Sequence, residues 1–394
     1  MTTPSNIIRL YDRSRTVTDW QCSRKRYYQY EYDGRGIVPA GTALELFMGT
    51  TIHDALAAIA TQHQAGHVDI DLIAQTAFQQ LYAELIKDND DFAEAIHFAA
   101  EQSTLVEGLI RGFYKTVWPV LMAAFPNILA IEQEMLFRHD ENGVSDPNGA
   151  FGFMSKPDLV VSNLDGDVYY IEYKSTKSKG DSWLNSWNTA VQLHSTMRAI
   201  EQTLNVKTTG CIVQGLYKGY ESYGKQNSPF CYAYQRGGNP PFTKAETRYA
   251  YTSGFKRFPS WQLDGGIAQW VDNMPGDTLA EQFPCTPPIF PNERLVDAFF
   301  AQRAIREAEL QDFWRRDDGT DALMNKVFPQ KFDQCIPYFG RSCSYRSLCF
   351  GYNPNPLIQG FTYRVPHHIP EEEHWNGLVN ASGTQLPNQS EHQN

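Results

Sequence analysis

The chain has 394 residues, of which 42% are hydrophobic and 20% charged, and its formal net charge is −11. This composition excludes a wholly disordered, collagenous or coiled-coil chain, and the negative charge excludes a protein that coats nucleic acid with its whole surface. The length favours two domains or one enzyme core with large insertions. No apolar run approaches the roughly 20 residues that span a bilayer, and the N-terminus has no apolar signal core, so we expect a cytoplasmic protein without a membrane partner.

Residues 1–125 are expected to form a helical N-terminal region. Apolar residues at helical spacing predict helices over residues 17–32, 44–64, 70–87 and 92–125, the last with a kink near Pro119. Residues 9–36 carry seven basic groups against four acidic ones, beside several aromatic residues. Positive charge is therefore concentrated locally in a protein whose overall charge is negative.

The pattern becomes that of a mixed sheet over residues 126–217. Apolar alternation or short apolar runs predict strands over residues 127–138, 150–162, 168–174 and 208–217, and helical spacing predicts a helix over 181–204. A turn at residues 163–167 (NLDGD) joins the second and third strands as an antiparallel pair. The predicted class is α/β, a small mixed β-sheet flanked by helices, with a helical N-terminal region and a C-terminal cysteine-rich segment.

The rest of the chain divides into three segments. Residues 218–290 are rich in Gly, Pro, Tyr and Ser and are predicted to form an irregular insertion with edge strands near 247–252. Residues 291–365 are predicted to contain a helix from 292 to 316 and then the cysteine-rich segment. Residues 366–394 contain no Lys or Arg and are predicted to be a disordered tail.

The strongest chemical pattern lies between residues 156 and 174. Asp158 stands in one apolar strand, and Glu172 and Lys174 stand two residues apart on one face of the next strand. Because a tight turn joins the strands, Asp158 is expected to lie beside Glu172. Two carboxylates and an ammonium on a largely buried sheet are costly unless they are paired or bind a metal. Hard oxygen ligands suit Mg²⁺ or Mn²⁺, and a lysine beside the metal can orient an attacking water.

These residues resemble a known motif. Pro157-Asp158, thirteen residues, and then Glu172-Tyr173-Lys174 is similar to the signature of the PD-(D/E)XK nucleases. The pattern by itself also fits a structural salt bridge between Glu172 and Lys174 on a surface strand.

Two more elements resemble the RecB-like branch of these nucleases, in the same chain order. Residues 49–53 (GTTIH) are similar to its G-x-x-x-H element, and the resemblance makes His53 a further metal ligand; a plain core histidine is the alternative. Gln192 is similar to the start of the Q-x-x-x-Y motif, which contacts DNA near the site. Thr196 stands where that motif has tyrosine, so the match is partial.

Four cysteines extend the resemblance to the iron–sulfur members of the branch, the AddB and CRISPR-associated RecB-like exonucleases. Cys22 precedes the histidine element, and Cys335, Cys343 and Cys349 follow the core. In those proteins one cysteine before the histidine and three at the end hold a [4Fe-4S] cluster. The x₅ gap before Cys349 matches their C-x₂-C-x₅-C spacing, whereas the x₇ gap after Cys335 departs from it. A structural Zn²⁺ site and unliganded buried cysteines are the alternatives.

The resemblance implies a restriction-endonuclease-like core and a DNA exonuclease acting on single-stranded or end-opened DNA, in recombination, repair or phage DNA metabolism. It implies Mg²⁺ or Mn²⁺ on His53, Asp158 and Glu172, with Lys174 and Gln192 completing the catalytic set. Chains of this kind often resemble phage-encoded exonucleases. The alternative is a weakly active or inactive DNA-binding or assembly module with the same fold.

Several neighbouring residues allow both a functional interpretation and an ordinary structural one. Glu132 and Glu134 precede Asp158 on the adjacent strand and could add an acidic contact, but solvated strand positions are favoured. Lys177 and Lys179 could contact phosphates or lie in a solvated loop. Tyrosine and lysine alternate at Tyr217, Lys218, Tyr220 and Tyr223, as in stacking platforms for single strands, although tyrosine-rich loops also occur as plain surface.

Overall fold

The computed structural model describes residues 9–40, 44–87, 93–178, 180–218, 232–234, 257–259, 266–316, 321–335, 342–351, 355–358 and 360–365. The predicted edge strands at 247–252, the predicted tail at 366–394, and Lys179, Tyr220 and Tyr223 lie outside these residues. Within the described ranges, the helices are all too short or too polar to cross a membrane.

The N-terminal region is mainly helical, as predicted. Its elements are β1 (Arg9–Asp12), α1 (Arg13–Gln21), α2 (Ser23–Arg26), a π-helical turn (Tyr27–Glu31), a 3-10 turn (Tyr32–Gly34), β2 (Ile37–Pro39), α3 (Leu44–Gln64), α4 (Ile70–Ile86), α5 (Ala93–Thr116) and α6 (Trp118–Ala124). The helix predicted over 17–32 is divided at Cys22, whose backbone is extended. The predicted kink near Pro119 is confirmed as the junction of α5 and α6, where proline fits the first turn of the new helix.

The core contains the predicted mixed sheet. Its elements are β3 (Asn127–Ile131), β4 (Met135–His139), β5 (Phe151–Ser155), β6 (Leu159–Ser162), β7 (Val168–Thr176), α7 (Asp181–Asn185), α8 (Val191–Leu204) and β8 (Thr208–Tyr217). The strand order is β3-β6-β7-β8, with β3, β6 and β7 antiparallel and β7 parallel to β8. The α/β class is confirmed, because helices pack on both faces of this sheet.

Two of the predicted long strands are each shared between two sheets. The segment 127–138 supplies β3 to the four-stranded sheet and β4 to a second sheet of order β1-β5-β4, and the segment 150–162 supplies β6 and β5 in the same way. The first segment changes sheet at Glu132, whose φ of 45° is in the left-handed region. The second segment changes sheet between Ser155 and Leu159. The two breaks lie next to each other, because the Glu132 N–H donates to the Asp158 carbonyl at 3.1 Å.

The two faces of the sheet pack against different helices. On β7, Ile171 and Tyr173 face a core built with α3, α4 and α5, whereas Val168 and Tyr170 face a core built with α8. Side chains alternate between the faces of a strand, so Glu172 and Lys174 belong to the α8 side. A site at the edge of this sheet can therefore draw residues from α3 and α8 together.

The described C-terminal part packs against the N-terminal region and against the mixed sheet. Its elements are β9 (Tyr232–Tyr234), β10 (Arg257–Pro259), α9 (Ile267–Asn273), α10 (Gly276–Ala280), α11 (Glu293–Arg316), α12 (Asp321–Val327), a 3-10 turn (Phe332–Gln334), α13 (Arg346–Phe350), a 3-10 turn (Pro356–Ile358) and β11 (Phe361–Tyr363). The predicted helix from 292 to 316 is confirmed as α11, and β11 pairs with β2 near the N-terminus.

A buried ion-pair network joins α11 to the N-terminal segment. Arg26 is fully buried, and its guanidinium donates two hydrogen bonds, of 2.7 and 2.8 Å, to the Glu307 carboxylate. Glu31 accepts from Arg26 at 3.2 Å, and Arg9 bonds both Glu31 and Glu307. Buried charges are tolerated only when they are paired in this way. The network therefore fixes α2, which follows Cys22, against α11.

Candidate active site

The site forms where β6 begins at Leu159 and where β7, still paired with β8, extends beyond β6. Leu159 is paired with Ile171, and the antiparallel register continued by one step sets Asp158 opposite Glu172, as the sequence predicts. Beyond this point the main chains separate, and the Asp158 Oδ2 atom accepts the Tyr173 N–H at 2.6 Å. The side chain of Asp158 thus replaces the backbone partner that β7 loses, and the separation opens space at the sheet edge.

His53 reaches this edge from α3. Its Nδ1 atom lies 2.8 Å from Asp158 Oδ1. Burial alone would lower the pKa of His53, but the Asp158 carboxylate raises it to about 10. Burial and then the neighbouring Glu172 carboxylate raise the pKa of Asp158 to about 6, against the opposing effect of His53. The two side chains thus form a partly buried ion pair at neutral pH.

Glu132 is the third member of this group. One ligand atom each from His53, Glu132 and Asp158 lie within 4.8 Å of one another, which is the spacing of a set that could hold a metal ion. The Glu132 side chain is 22% exposed and is held by Lys156 at 2.9 Å. The carboxylate of Glu132 therefore lies in the candidate site, and not at the solvated strand position that the sequence favoured. The sequence indicates this role of Glu132 only weakly. The strand pattern does not predict the left-handed backbone at Glu132, where the chain leaves the strand beside Asp158.

Glu172 and Lys174 form the other half of the site. The Lys174 ammonium donates to Glu172 Oε1, and Gln192 Nε2 on α8 donates to the same oxygen at 2.6 Å. Burial would lower the pKa of Lys174, but the carboxylates of Glu172 and Asp158 raise it, so the ammonium form is stabilised. The structure thus brings together all five predicted site residues, while Glu172 contacts Lys174 and Gln192 and stands outside the three-ligand group.

Thr196, which stands at the tyrosine position of the partial motif, has a structural role. It is buried on α8, and its hydroxyl lies 2.7 Å from that of Ser155 at the end of β5. This contact ties α8 to the second sheet beside the break that precedes Asp158. Thr196 thus bonds within the protein, and Gln192 still contacts Glu172.

The donor set fits a hard divalent cation. The carboxylates of Glu132, Asp158 and Glu172 lie at one sheet edge, where burial and then the charge of Glu172 raise the pKa of Asp158. Carboxylate oxygens with one imidazole are suitable ligands for Mg²⁺ or Mn²⁺. A divalent cation would take the place of the proton that His53 carries and would relieve the repulsion between the carboxylates.

The four predicted cysteines of the cluster line one cavity of about 320 Å³. Cys22 lies between α1 and α2, Cys335 ends a 3-10 turn, and Cys349 lies on α13. The Cys343 N–H donates to the Cys335 carbonyl at 3.0 Å. Burial and the charges of the neighbouring thiolates raise the pKa of Cys335, and burial raises that of Cys349 to about 12. These shifts favour the neutral thiol forms of Cys335 and Cys349.

Fold and site together define a metal-dependent phosphodiesterase with a restriction-endonuclease-like core. The family model of the PD-(D/E)XK nuclease superfamily matches residues 14–350, which is most of the chain. The protein therefore belongs to the PD-(D/E)XK nuclease superfamily, and nuclease activity with a divalent metal follows from this membership. No curated protein matches the sequence significantly.

Proposed function

We propose that this protein is a metal-dependent DNA exonuclease of the RecB-like branch, which acts on single-stranded or end-opened DNA in the cytoplasm, in recombination, repair or phage DNA metabolism. The observation that carries the proposal is that four side chains converge on one sheet edge: His53 from α3, Asp158 from the residue before β6, and Glu172 and Lys174 from β7. The histidine is the element that distinguishes this branch, and its contact with Asp158 supports the assignment.

His53, Asp158 and Glu132 would hold the divalent ion, with Glu172 as a further ligand. When bound, the ion supplies Lewis-acid stabilisation of the charge that develops on the phosphate. The Lys174 ammonium, anchored on Glu172, would orient the attacking water and favour its deprotonation. Gln192, on the helix that packs against this face of the sheet, would hold the Glu172 carboxylate in position through the same oxygen.

The cysteine cavity is proposed to hold a [4Fe-4S] cluster. A tetrahedral zinc with Zn–S bonds of about 2.3 Å would bring its sulfur ligands to about 3.8 Å from one another. Among the described residues, the spacing of 4.8 Å or less for three ligand atoms is met by the His53 group and not by any three of the cysteines. In a cubane each thiolate binds a different iron, so wider spacing favours the cluster over zinc.

The test is the degradation of end-labelled DNA in Mn²⁺ by protein prepared without oxygen. Wild type and Lys174→Ala are compared on single-stranded, linear duplex and covalently closed circular DNA. The control is Lys207→Ala, because Lys207 is exposed next to the start of β8, at the opposite end of the sheet. We expect wild type and the control to degrade the DNA with free ends, and Lys174→Ala to be at least a hundredfold slower.

The other outcomes separate the competing assignments. Equal cleavage by wild type and Lys174→Ala would show that the site is placed wrongly. Cleavage of closed circles at the same rate would indicate an endonuclease. Absence of cleavage by an iron-loaded wild type that still binds DNA would favour a DNA-binding or assembly module.

A further inference from the structure

Arg13 lies at the same sheet edge as the proposed active site. It directly follows β1, which runs parallel to β5 with Asp12 opposite Met154. The register continued by one step places Arg13 beside Ser155, three residues before Asp158. Parallel strands end at a common edge of a sheet. Arg13, the first residue of α1, therefore lies beside the break in the chain that precedes Asp158.

Arg13 differs from the other arginines of the basic N-terminal segment. Arg26 and Arg9 are committed to the buried network with Glu307, and Arg24 donates to the Phe328 carbonyl. Arg13 is exposed and forms no ion pair with a carboxylate of the described residues. It stands at the N-terminal end of α1, where a cation is disfavoured by the helix dipole and the first turn holds no acidic residue. Nothing in the described fold therefore requires a positive charge here.

The positive charge of Arg13 acts on a residue of the proposed active site. The Arg13 guanidinium lies close enough to the Lys174 ammonium for the two positive charges to repel each other. The Glu172 carboxylate is already engaged by Lys174 and Gln192. Two cations thus lie near the same opening, and Arg13 has no carboxylate partner among the residues that the structure describes.

We propose that Arg13 binds a backbone phosphate of the DNA strand next to the one that is cleaved. The inference rests on the proposed function and adds a substrate-binding residue to it. A guanidinium presents a planar pair of donors that matches two phosphate oxygens, and such a contact reads no sequence. A local cation of this kind allows a protein of net charge −11 to hold a polyanion at its active site.

The experiment measures binding and cleavage separately. Binding of a fluorescently labelled single-stranded oligonucleotide is followed by anisotropy without divalent metal, over a range of salt concentrations, for wild type, Arg13→Ala and Arg13→Lys. Arg294→Ala is the matched control, because Arg294 is an exposed arginine at the start of α11, near the opposite end of the sheet. Cleavage in Mn²⁺ then gives kcat and KM, and thermal unfolding checks that each variant is folded.

We expect Arg13→Ala to bind about tenfold more weakly and to lose about 0.7 from the salt slope of log affinity, the value for one phosphate contact on a single strand. KM should rise while kcat stays near that of wild type, because the contact is made equally in the ground and transition states. Arg13→Lys should keep most of the slope, and Arg294→Ala should behave as wild type.

The inference is wrong if folded Arg13→Ala keeps the affinity and the salt slope of wild type. It is also wrong if kcat falls with KM unchanged, which would make Arg13 a part of the chemistry. A wild type that binds the oligonucleotide without cleaving it would overturn the proposed function, and the binding series would still decide the role of Arg13. A wild type that does not bind would overturn both.

Discussion

Asp158 accepts the backbone N–H of Tyr173 through one carboxylate oxygen and contacts His53 with the other. The first contact caps the β7 strand where β6 leaves it, and the second lies in the group of ligand atoms that could hold a metal. Asp158 therefore has a structural role in the sheet and a role in the candidate metal site. Substitutions at this position can separate the two roles.

Asp158→Asn should abolish metal-dependent cleavage and leave the fold intact. The amide oxygen can still accept the Tyr173 N–H, but the negative charge that attracts the cation is lost. Asp158→Ala should also be inactive and, in addition, less stable by about 1–3 kcal/mol, because a buried N–H loses its acceptor. Cleavage rates and denaturant unfolding measure the two effects. Asp165→Asn, in the exposed turn between β6 and β7, is the control; equal stability of the Asn and Ala variants would contradict the capping role.

The metal affinity should rise with pH. His53 holds its proton up to a pKa of about 10 and Asp158 holds one below about 6, so a cation must displace a proton to bind at neutral pH. The Mn²⁺ concentration that gives half-maximal cleavage should fall severalfold between pH 6.5 and 8.5. In His53→Gln this dependence should be weaker, whereas His67→Gln, at an exposed position beyond α3, should keep it. A half-saturating concentration that does not change with pH in wild type would argue against His53 as a ligand.

Removing one partner of the Arg26–Glu307 pair should be strongly destabilising. Glu307→Gln leaves the fully buried Arg26 without its bidentate carboxylate, and such losses cost about 3–5 kcal/mol. The control is Glu309→Gln, two residues away on the exposed side of α11, which should change the free energy of unfolding by less than about 1 kcal/mol. Urea unfolding measures both, and a loss of similar size in the two variants would show that the network contributes little.

Substituting one cavity cysteine should remove the iron. Cys343→Ser should lose most of the iron and acid-labile sulfide and the absorbance near 400 nm after anaerobic purification. Cys285→Ser, an exposed cysteine away from the cavity, should keep them. Zinc without iron in the wild-type protein would instead identify a structural zinc site, and neither metal would leave four unliganded thiols.

Part of the active site could be predicted because local patterns control it. The NLDGD turn sets the β6–β7 register, and that register alone puts Asp158 opposite Glu172. Alternation along β7 puts Glu172 and Lys174 on one face. His53 and Gln192 could be named only through their resemblance to a known family, since the helical pattern around each does not distinguish a ligand from a core residue.

The sequence by itself determined the order of helices and strands and the pairing across the short turn, because these depend on neighbours along the chain. Only the tertiary structure decided that two predicted strands are each divided between two sheets, that Glu132 turns into the site, and that Arg13 reaches its edge from a distant strand. These features depend on which segments pack together in space, and for Arg13 the paired strands β1 and β5 are more than a hundred residues apart in the chain. Such packing is set by the shape and burial of whole faces, which no local pattern encodes.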